Sequence, residues 1–80
     1  MAFVYILKSL KTGRYYYGST DDLEKRLNKH NSGLVRSTKS GVPWKIHYFE
    51  SYETRSEAKK KEYFFKSING YLWLKENKIT

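Results

Sequence analysis

The chain lacks cysteine, carries few acidic residues and has no long apolar run. Without cysteine it cannot form a disulfide framework, a cysteine-based zinc site or a thiol nucleophile. The longest apolar run is far shorter than a membrane span, and the N-terminus lacks the apolar segment and the cleavage site of a signal peptide. We therefore expect a cytoplasmic protein that does not enter a membrane.

Positive charge and aromatic side chains are abundant. Lysine and arginine number 16 against 8 acidic residues, giving a net charge of +8, which favours a polyanionic partner, most often nucleic acid. The alternative is a merely soluble basic surface. Eight tyrosines, four phenylalanines and two tryptophans are too many for a disordered basic tail, so residues 1–80 are expected to fold as one small domain with a thin core.

The N-terminal part of the chain is predicted to form a β-hairpin. Phe3–Leu7 and Arg14–Tyr17 are rich in β-branched and aromatic residues, and a turn at Thr12–Gly13 separates them. Gly18 is expected to end the second strand. In such strands Tyr5 shares a face with Phe3 and Leu7, whereas Tyr16 points opposite to its two tyrosine neighbours.

A helix is predicted directly after the hairpin. Asp21, with Glu24 three residues later, fits an N-cap and a capping box, so the helix should run from Asp22 to Asn31. Gly33 should end it. The following polar segment, residues 34–43, is predicted to be a surface loop.

The C-terminal half should add one strand and two helices. Trp44–Tyr52 is predicted as a third strand, and Thr54 begins a capping box that opens a helix through about Ile68. Asn69–Gly70 should break this helix before a short last one at Tyr71–Asn77. The predicted order β-β-α-β-α-α describes an α+β domain with a small three-stranded antiparallel sheet flanked by helices.

The first helix directs charged groups inward. Leu23 and Leu27 define its apolar stripe, His30 falls between them in angle, and Arg26 lies at the edge of the stripe. Burying a guanidinium without a partner is costly, so an anionic group should meet Arg26. The alternative is that Arg26 reaches along the core rim to Asp22 while His30 is an ordinary interior histidine.

A carboxylate is predicted to point inward from the second helix. Ala58, Glu62 and Phe65 share one face of that helix. Glu62 could simply pair with Arg26. However, glutamate, arginine, histidine and tyrosine converging in a basic domain also suit a metal-dependent phosphodiesterase, which needs an oxygen ligand for Mg²⁺ or Mn²⁺ and a cation for the phosphate.

Four segments together resemble the GIY-YIG nuclease family, especially its small stand-alone bacterial members and, more distantly, the N-terminal domain of an excinuclease subunit. In chain order they are VYIL (Val4–Leu7), YYG (Tyr16–Gly18), DLEKRLNKHNSG (Asp22–Gly33) and EAKKKEYFFK (Glu57–Lys66). The resemblance implies a three-stranded antiparallel sheet flanked by helices. It places the active site on the sheet near the first two strands.

The resemblance also implies a set of catalytic residues, namely Tyr5, Tyr16, Arg26, His30 and Glu62. Glu62 would hold a single Mg²⁺ or Mn²⁺ that binds the scissile phosphate and stabilises the leaving 3′ oxygen. Tyr5 would deprotonate or orient the attacking water, and Arg26 would stabilise charge on the phosphate. His30 and Tyr16 would position water or phosphate through hydrogen bonds.

Three positions depart from the family pattern. Phe3 replaces the glycine of the first half-motif, and Ser19 stands where the excinuclease relatives carry a lysine. The second change removes a candidate partner for lowering a tyrosine pKa. A family asparagine downstream of the glutamate has only Asn69 and Asn77 as nearby candidates.

The function expected from residues and resemblance is a divalent-metal-dependent endonuclease acting on DNA, or on RNA. It should be structure-selective or weakly sequence-selective, with a role in DNA repair or recombination, and monomeric by default. Backbone contacts are predicted for Arg14, Arg36, Lys39 and Lys66. One alternative is a non-catalytic nucleic-acid-binding domain that uses its basic surface and exposed aromatics, and another is a basic protein-interaction module.

Overall fold

A computed structural model of the protein describes residues 1–80 as three strands and three helices, in the predicted order β-β-α-β-α-α. The strands and helices are β1 (Ala2–Ser9), β2 (Tyr15–Thr20), α1 (Leu23–Asn31), β3 (Trp44–Tyr52), α2 (Arg55–Phe65) and α3 (Ile68–Glu76). A short 3-10 turn at Lys39–Gly41 precedes β3. None of the helices is long and apolar enough to cross a membrane.

The strands form one antiparallel sheet with the order β2-β1-β3, so β1 is central. Both faces of β1 are covered, which explains its nearly continuous apolar sequence. Val4 and Ile6 pack against Phe65 of α2 and Leu74 of α3. The other face carries the second apolar cluster, which is Tyr5, Leu7 and Trp44 with Leu23 and Leu27 of α1 packed against it.

The β1–β2 register brings the two predicted site tyrosines onto the same face. Tyr5 pairs with Gly18, and Leu7 pairs with Tyr16. Gly18 was expected to end β2, but it lies inside the strand, which continues to Thr20. A Cβ on Gly18 would lie 2.4 Å from the Tyr5 hydroxyl oxygen, so the glycine makes room for the Tyr5 ring.

The predicted cap of α1 is displaced by one residue. Asp22, rather than Asp21, is the N-cap, and its side chain accepts a hydrogen bond from the backbone N–H of Lys25 at 3.0 Å. The capping box with Glu24 is therefore absent, because the residue three positions after the cap is a lysine. The helix ends at Asn31, and Gly33 follows with a φ of +79°.

The predicted break between the last two helices is wrong by about three residues. The capping box of Thr54 is present, but α2 ends at Phe65 and Ser67 caps α3. Gly70 lies within α3 and is buried, because a Cβ there would fall 1.7 Å from the carbonyl oxygen of Phe64. This glycine permits close packing of α3 on α2 and does not end a helix.

The predicted surface loop at residues 34–43 is partly buried. Thr38 is completely buried, and its carbonyl accepts a hydrogen bond from the indole N–H of Trp44 at 2.8 Å. Ser9 donates to the carbonyl of Gly41 at 2.6 Å, which fixes the loop to the end of β1. The loop therefore contributes to the interior beside α1.

Candidate active site

A pocket of about 460 Å³ lies beside edge strand β2, between α1 and the N-terminal half of α2. Four of the five predicted catalytic residues line it: Tyr5, Tyr16, Arg26 and Glu62. They come from β1, β2, α1 and α2, so the fold rather than local sequence brings them together. His30 does not line the pocket and lies behind Tyr5.

Tyr5 begins a buried chain of hydrogen bonds that leads away from the pocket. Its hydroxyl lies 3.1 Å from Nε2 of His30, and Nδ1 of His30 lies 2.8 Å from the hydroxyl oxygen of Thr38. Tyr5 is 2 % exposed, while His30 and Thr38 are fully buried. Both ring nitrogens of His30 are therefore engaged within the protein, which leaves neither free to bind water or phosphate.

The environment keeps Tyr5 and His30 in their neutral forms. Burial raises the pKa of Tyr5 above its ordinary value, the charge of Arg26 opposes this, and Tyr16 and Glu62 add to it. Burial lowers the pKa of His30, and the positive charges of Arg26 and Lys29 lower it further. A neutral imidazole next to a protonated phenol is a ready acceptor for the phenolic proton.

Glu62 holds an ionised carboxylate at the wall of the pocket. Its Oε1 accepts a hydrogen bond from the hydroxyl of Ser19 at 2.7 Å and lies 3.6 Å from Nζ of Lys59. Its Oε2 accepts from Nζ of Lys66 at 2.8 Å. Burial by itself would raise the pKa of Glu62, but the hydrogen bonds from Lys66 and Ser19 and the two lysine charges outweigh it and lower the pKa.

Arg26 reaches the pocket without an anionic partner from the protein. The salt bridges of the structure join Glu62 to Lys59 and Lys66, and Glu50 to Lys61. Neither predicted partner of Arg26, Asp22 or Glu62, is paired with it. Arg26 thus pairs with neither carboxylate, and its half-buried guanidinium keeps access to water, so the expectation that an anionic group meets it stays a prediction.

Two cations that were not predicted from the sequence also line the pocket. Arg55 and Lys59 lie on α2 at seven and three residues before Glu62. These spacings put all three side chains on one helix face, so the helical wheel that turned Glu62 inward could have found them. Ser19 also belongs to the site, since it holds Glu62, although the sequence indicated only that it replaces a lysine.

The residues predicted to contact nucleic acid are spread over the surface. Arg14 lines a second recess of about 130 Å³, and Tyr16 is shared between this recess and the main pocket. Arg36 and Lys39 are exposed in the loop before β3. Lys66 is the lysine bonded to Glu62, so it lies at the site itself.

The two asparagine candidates for the missing family position do not reach the pocket. Asn69 is exposed on α3, and Asn77 caps the end of that helix, where its side chain donates to the carbonyl of Trp73 at 2.8 Å. Neither is among the residues that line the pocket. No residue of α3 therefore lines the pocket.

The donor set fits a divalent cation held mainly by substrate and water. No group of three histidine, aspartate or glutamate side chains forms a metal cluster, and Glu62 is the one carboxylate that lines the pocket. Mg²⁺ commonly binds one or two carboxylates together with phosphate oxygens and several waters. One ionised carboxylate in a pocket lined by Arg26, Arg55 and Lys59 meets that requirement.

Comparison with known proteins agrees with this geometry. The GIY-YIG catalytic domain family matches residues 1–76. UPF0213 proteins of Bacillus licheniformis and Clostridium perfringens are 40% and 42% identical to this chain, over 84% and 85% of its length and 69% and 73% of theirs.

A solved structure is similar as well. The solution NMR structure of a UPF0213 protein from Bacillus halodurans matches with a TM-score of 0.55 at 32% identity, covering 98% of this chain and 86% of that one. The family match over nearly the whole chain and the relatives above 40% identity lead to one conclusion: the chain belongs to the GIY-YIG catalytic domain family.

Proposed function

We propose that residues 1–80 act as a divalent-metal-dependent endonuclease that hydrolyses phosphodiester bonds in DNA. The observation that carries this proposal is the pocket beside β2, where Tyr5, Tyr16, Arg26 and Glu62 meet from four different elements. Membership of the GIY-YIG family supports the reaction class. The small domain has little surface for reading bases, so we expect selection by DNA structure more than by sequence, which suits repair or recombination.

Phosphate binding is assigned to the cations that line the pocket. The guanidinium of Arg26 has no protein partner, and Arg55 and Lys59 line the same cavity. Arginine binds phosphate through paired N–H donors, and its charge also stabilises the trigonal bipyramidal transition state. Tyr16, at the junction of the pocket and the second recess, is placed to orient the strand next to the scissile bond.

The metal ligand in this proposal is Glu62. A divalent cation bound there would supply Lewis-acid stabilisation of charge on the phosphate and on the departing 3′ oxygen. Glu62 is ionised and available for this role, because the side chains of Lys59 and Lys66 that now accompany it are about half exposed and can move aside. Ser19 would continue to orient the carboxylate.

The proton path in this proposal runs from water to Tyr5 and from Tyr5 to His30. As the water oxygen attacks phosphorus, its proton passes to the Tyr5 oxygen, while the phenolic proton passes to Nε2 of His30, 3.1 Å away. The bond between phosphorus and the 3′ oxygen breaks, and that oxygen takes a proton from solvent. His30 then returns to neutrality by passing its proton back through the Tyr5 hydroxyl to solvent in the pocket. In this scheme His30 acts through Tyr5 and does not touch the substrate.

A non-catalytic nucleic-acid-binding domain is the second candidate. It is favoured by the fact that Glu62 is already satisfied by Ser19 and two lysines, as a purely structural glutamate would be. It also agrees with the raised pKa of Tyr5, which opposes deprotonation in the free protein.

Nicking of supercoiled plasmid and of a labelled branched duplex, with Mg²⁺, Mn²⁺ or EDTA, separates the two candidates. The nuclease predicts metal-dependent cleavage that falls about 100- to 1000-fold in Glu62→Gln and in Arg26→Ala, the range observed when one preorganised charge-stabilising group is removed. Lys60 is exposed on α2, the helix of Glu62, and does not line the pocket, so Lys60→Ala should leave cleavage intact. Salt-sensitive binding without any cleavage by the wild type would establish the binding domain.

A further inference from the structure

The hydroxyl of Thr38 lies at the inner end of the hydrogen-bond chain that starts at Tyr5. We infer that Thr38 is a positioning residue, which holds the His30 imidazole in the tautomer whose Nε2 accepts the Tyr5 proton. Its role in cleavage rests on the proposed nuclease function, whereas the tautomer itself does not. Thr38 was not among the site residues expected from the sequence, since it falls in the segment predicted as a surface loop.

The contacts of Thr38 supply the basis for a direction of each hydrogen bond. Its hydroxyl oxygen lies 3.3 Å from the carbonyl oxygen of Val35, and a carbonyl can only accept, so this contact is made when the hydroxyl donates to it. In that arrangement the hydroxyl presents a lone pair to Nδ1 of His30, at 2.8 Å, and Nδ1 carries the hydrogen. In a neutral imidazole Nε2 is then unprotonated, and it accepts the hydroxyl proton of Tyr5.

The position of Thr38 is itself fixed from several sides. Its backbone N–H donates to the Val35 carbonyl at 3.1 Å, and its own carbonyl accepts from Gly41 N–H at 3.1 Å and from the Trp44 indole at 2.8 Å. A Cβ on Gly41 would lie 2.4 Å from the Trp44 ring, so the loop packs tightly on this tryptophan. These contacts keep the Thr38 hydroxyl at the histidine.

The opposite tautomer would break the proposed path. With hydrogen on Nε2, His30 would donate to the Tyr5 oxygen, and the phenolic proton would have no acceptor in the interior. Thr38 would have to turn its own proton from the Val35 carbonyl to Nδ1. One buried hydroxyl thus decides whether Tyr5 has an acceptor for its proton.

The first test is the imidazole tautomer of His30 in the wild-type protein, read from its ¹⁵N chemical shifts by NMR. Hydrogen on Nδ1 is the expected result, and hydrogen on Nε2 would overturn the inference. This measurement needs neither a variant nor a substrate. It can therefore succeed even if the protein cleaves nothing, in which case the proposed nuclease fails and the tautomer assignment stands.

A pair of variants tests the effect on chemistry. Thr38→Val keeps the shape but removes the hydroxyl, so His30 should shift toward the other tautomer and cleavage should fall about 10- to 100-fold, as when groups that orient a functional imidazole are removed. Thr38→Ser keeps the hydroxyl and should preserve both the tautomer and the rate. An unchanged tautomer in folded Thr38→Val, or a full loss of rate in folded Thr38→Ser, would contradict the inference.

Discussion

The buried side chains on the two faces of the sheet differ in composition. Beneath α2 and α3 the core cluster is apolar, namely Val4, Ile6, Phe65 and Leu74, and the buried carboxylate of Glu62 lies at its pocket side. Beneath α1 the interior also contains a histidine and a threonine, joined to Tyr5 by hydrogen bonds. The first face therefore gains stability from apolar burial, while the second uses buried polar groups whose hydrogen bonds must all be made. The pocket draws on both, because Tyr5 and Arg26 reach it from β1 and α1 while Glu62 reaches it from α2.

Truncation on the apolar face should have the largest effect and should act on stability. Phe65 is 2 % exposed and contacts Tyr17, Tyr48, Phe64 and Trp73, so Phe65→Ala leaves a cavity that few neighbours can fill. We expect a loss of about 3–5 kcal/mol in the free energy of unfolding, measured by urea denaturation.

The matched control for that prediction is a phenylalanine at the surface. Phe49 is 51% exposed, and Phe49→Ala should cost less than about 1 kcal/mol. Cleavage per folded molecule should be unchanged in the Phe65 variant. If it falls further than the folded fraction does, the apolar cluster also positions the residues of the pocket.

A change at Gly18 should act on the polar face, with a smaller cost in stability. In Gly18→Ala the new methyl group would lie 2.4 Å from the Tyr5 hydroxyl oxygen and 2.6 Å from its ring, so the ring must move. Overpacking of this kind costs about 1–3 kcal/mol. Because the moved hydroxyl loses alignment with His30, the cleavage rate should fall by more than the loss of folded protein explains. Cleavage kinetics would measure the rate, and thermal denaturation would measure the stability.

Gly13→Ala provides the comparison for Gly18→Ala. Gly13 has a φ of +77° but nothing within 4 Å of the added methyl group, so alanine there strains the turn and touches no site residue. It should lower stability and leave cleavage unchanged. An equal loss of cleavage in both variants would show that the Tyr5 position is not responsible.

The pH dependence of cleavage tests whether His30 is the acceptor. Tyr5, Tyr16, Arg26 and Lys29 are the titratable groups next to it. Burial, together with the charges of Arg26 and Lys29, keeps the pKa of His30 below the ordinary value of 6.5. Cleavage needs neutral His30, so the rate should fall about tenfold per pH unit once the pH drops below that lowered pKa. His30→Gln should be slow and should lose this acidic limb, and persistence of the limb would exclude the histidine.

The lowered pKa of His30 also determines the direction in which the stability of the fold changes with pH. In the unfolded chain His30 binds a proton near its ordinary pKa of 6.5, while the folded state resists protonation. Stability is therefore full above that pH and declines as the pH falls through the lowered pKa of the folded state. Thermal denaturation between neutral and mildly acidic pH would measure the decline, which should be smaller in His30→Gln.

The smallest predicted effect is on nucleic-acid binding and comes from two cations in the loop before β3. Arg36 and Lys39 are exposed in the loop before β3, far less constrained than the buried network. If each contacts one phosphate, replacement by alanine should reduce the slope of log K against log salt by about 0.7–0.9. Binding to a labelled duplex at several salt concentrations would test this, with Lys60→Ala as the surface control. Unchanged slopes would remove the loop from the interface.

Local sequence signals predicted the strands and helices better than they predicted the tertiary contacts between them. The third strand and the capping box of Thr54 are confirmed, because both depend on short-range patterning and side chains near the backbone. The predicted break at Asn69–Gly70 is wrong, since a glycine can equally serve close helix packing, which only the tertiary structure reveals. The helical wheel placed Glu62 inward but could not identify Lys66 and Ser19 as its partners.

The chemistry of the site was predictable only in part. The wheel and the family resemblance together brought Arg26 and Glu62 to one region, and both line the pocket. The contribution of Thr38 was hidden, because the polar segment around it reads as a solvated loop. The segment is held in the interior by hydrogen bonds from Trp44 of β3 to Thr38 and from Ser9 of β1 to Gly41, and both donors lie in other elements.

The lysines beside Glu62 affect the order in which a complex can assemble. Arg26, Arg55 and Lys59 line the pocket against a single carboxylate, and Lys66 occupies the second oxygen of that carboxylate. A dication approaching the empty protein therefore meets repulsion, whereas a phosphate chain is attracted and, once seated, draws the lysines toward itself. In the proposed nuclease, the polyanion should bind first and the ion second, and free protein in a magnesium-rich solution should hold no ion at Glu62 until the polyanion arrives.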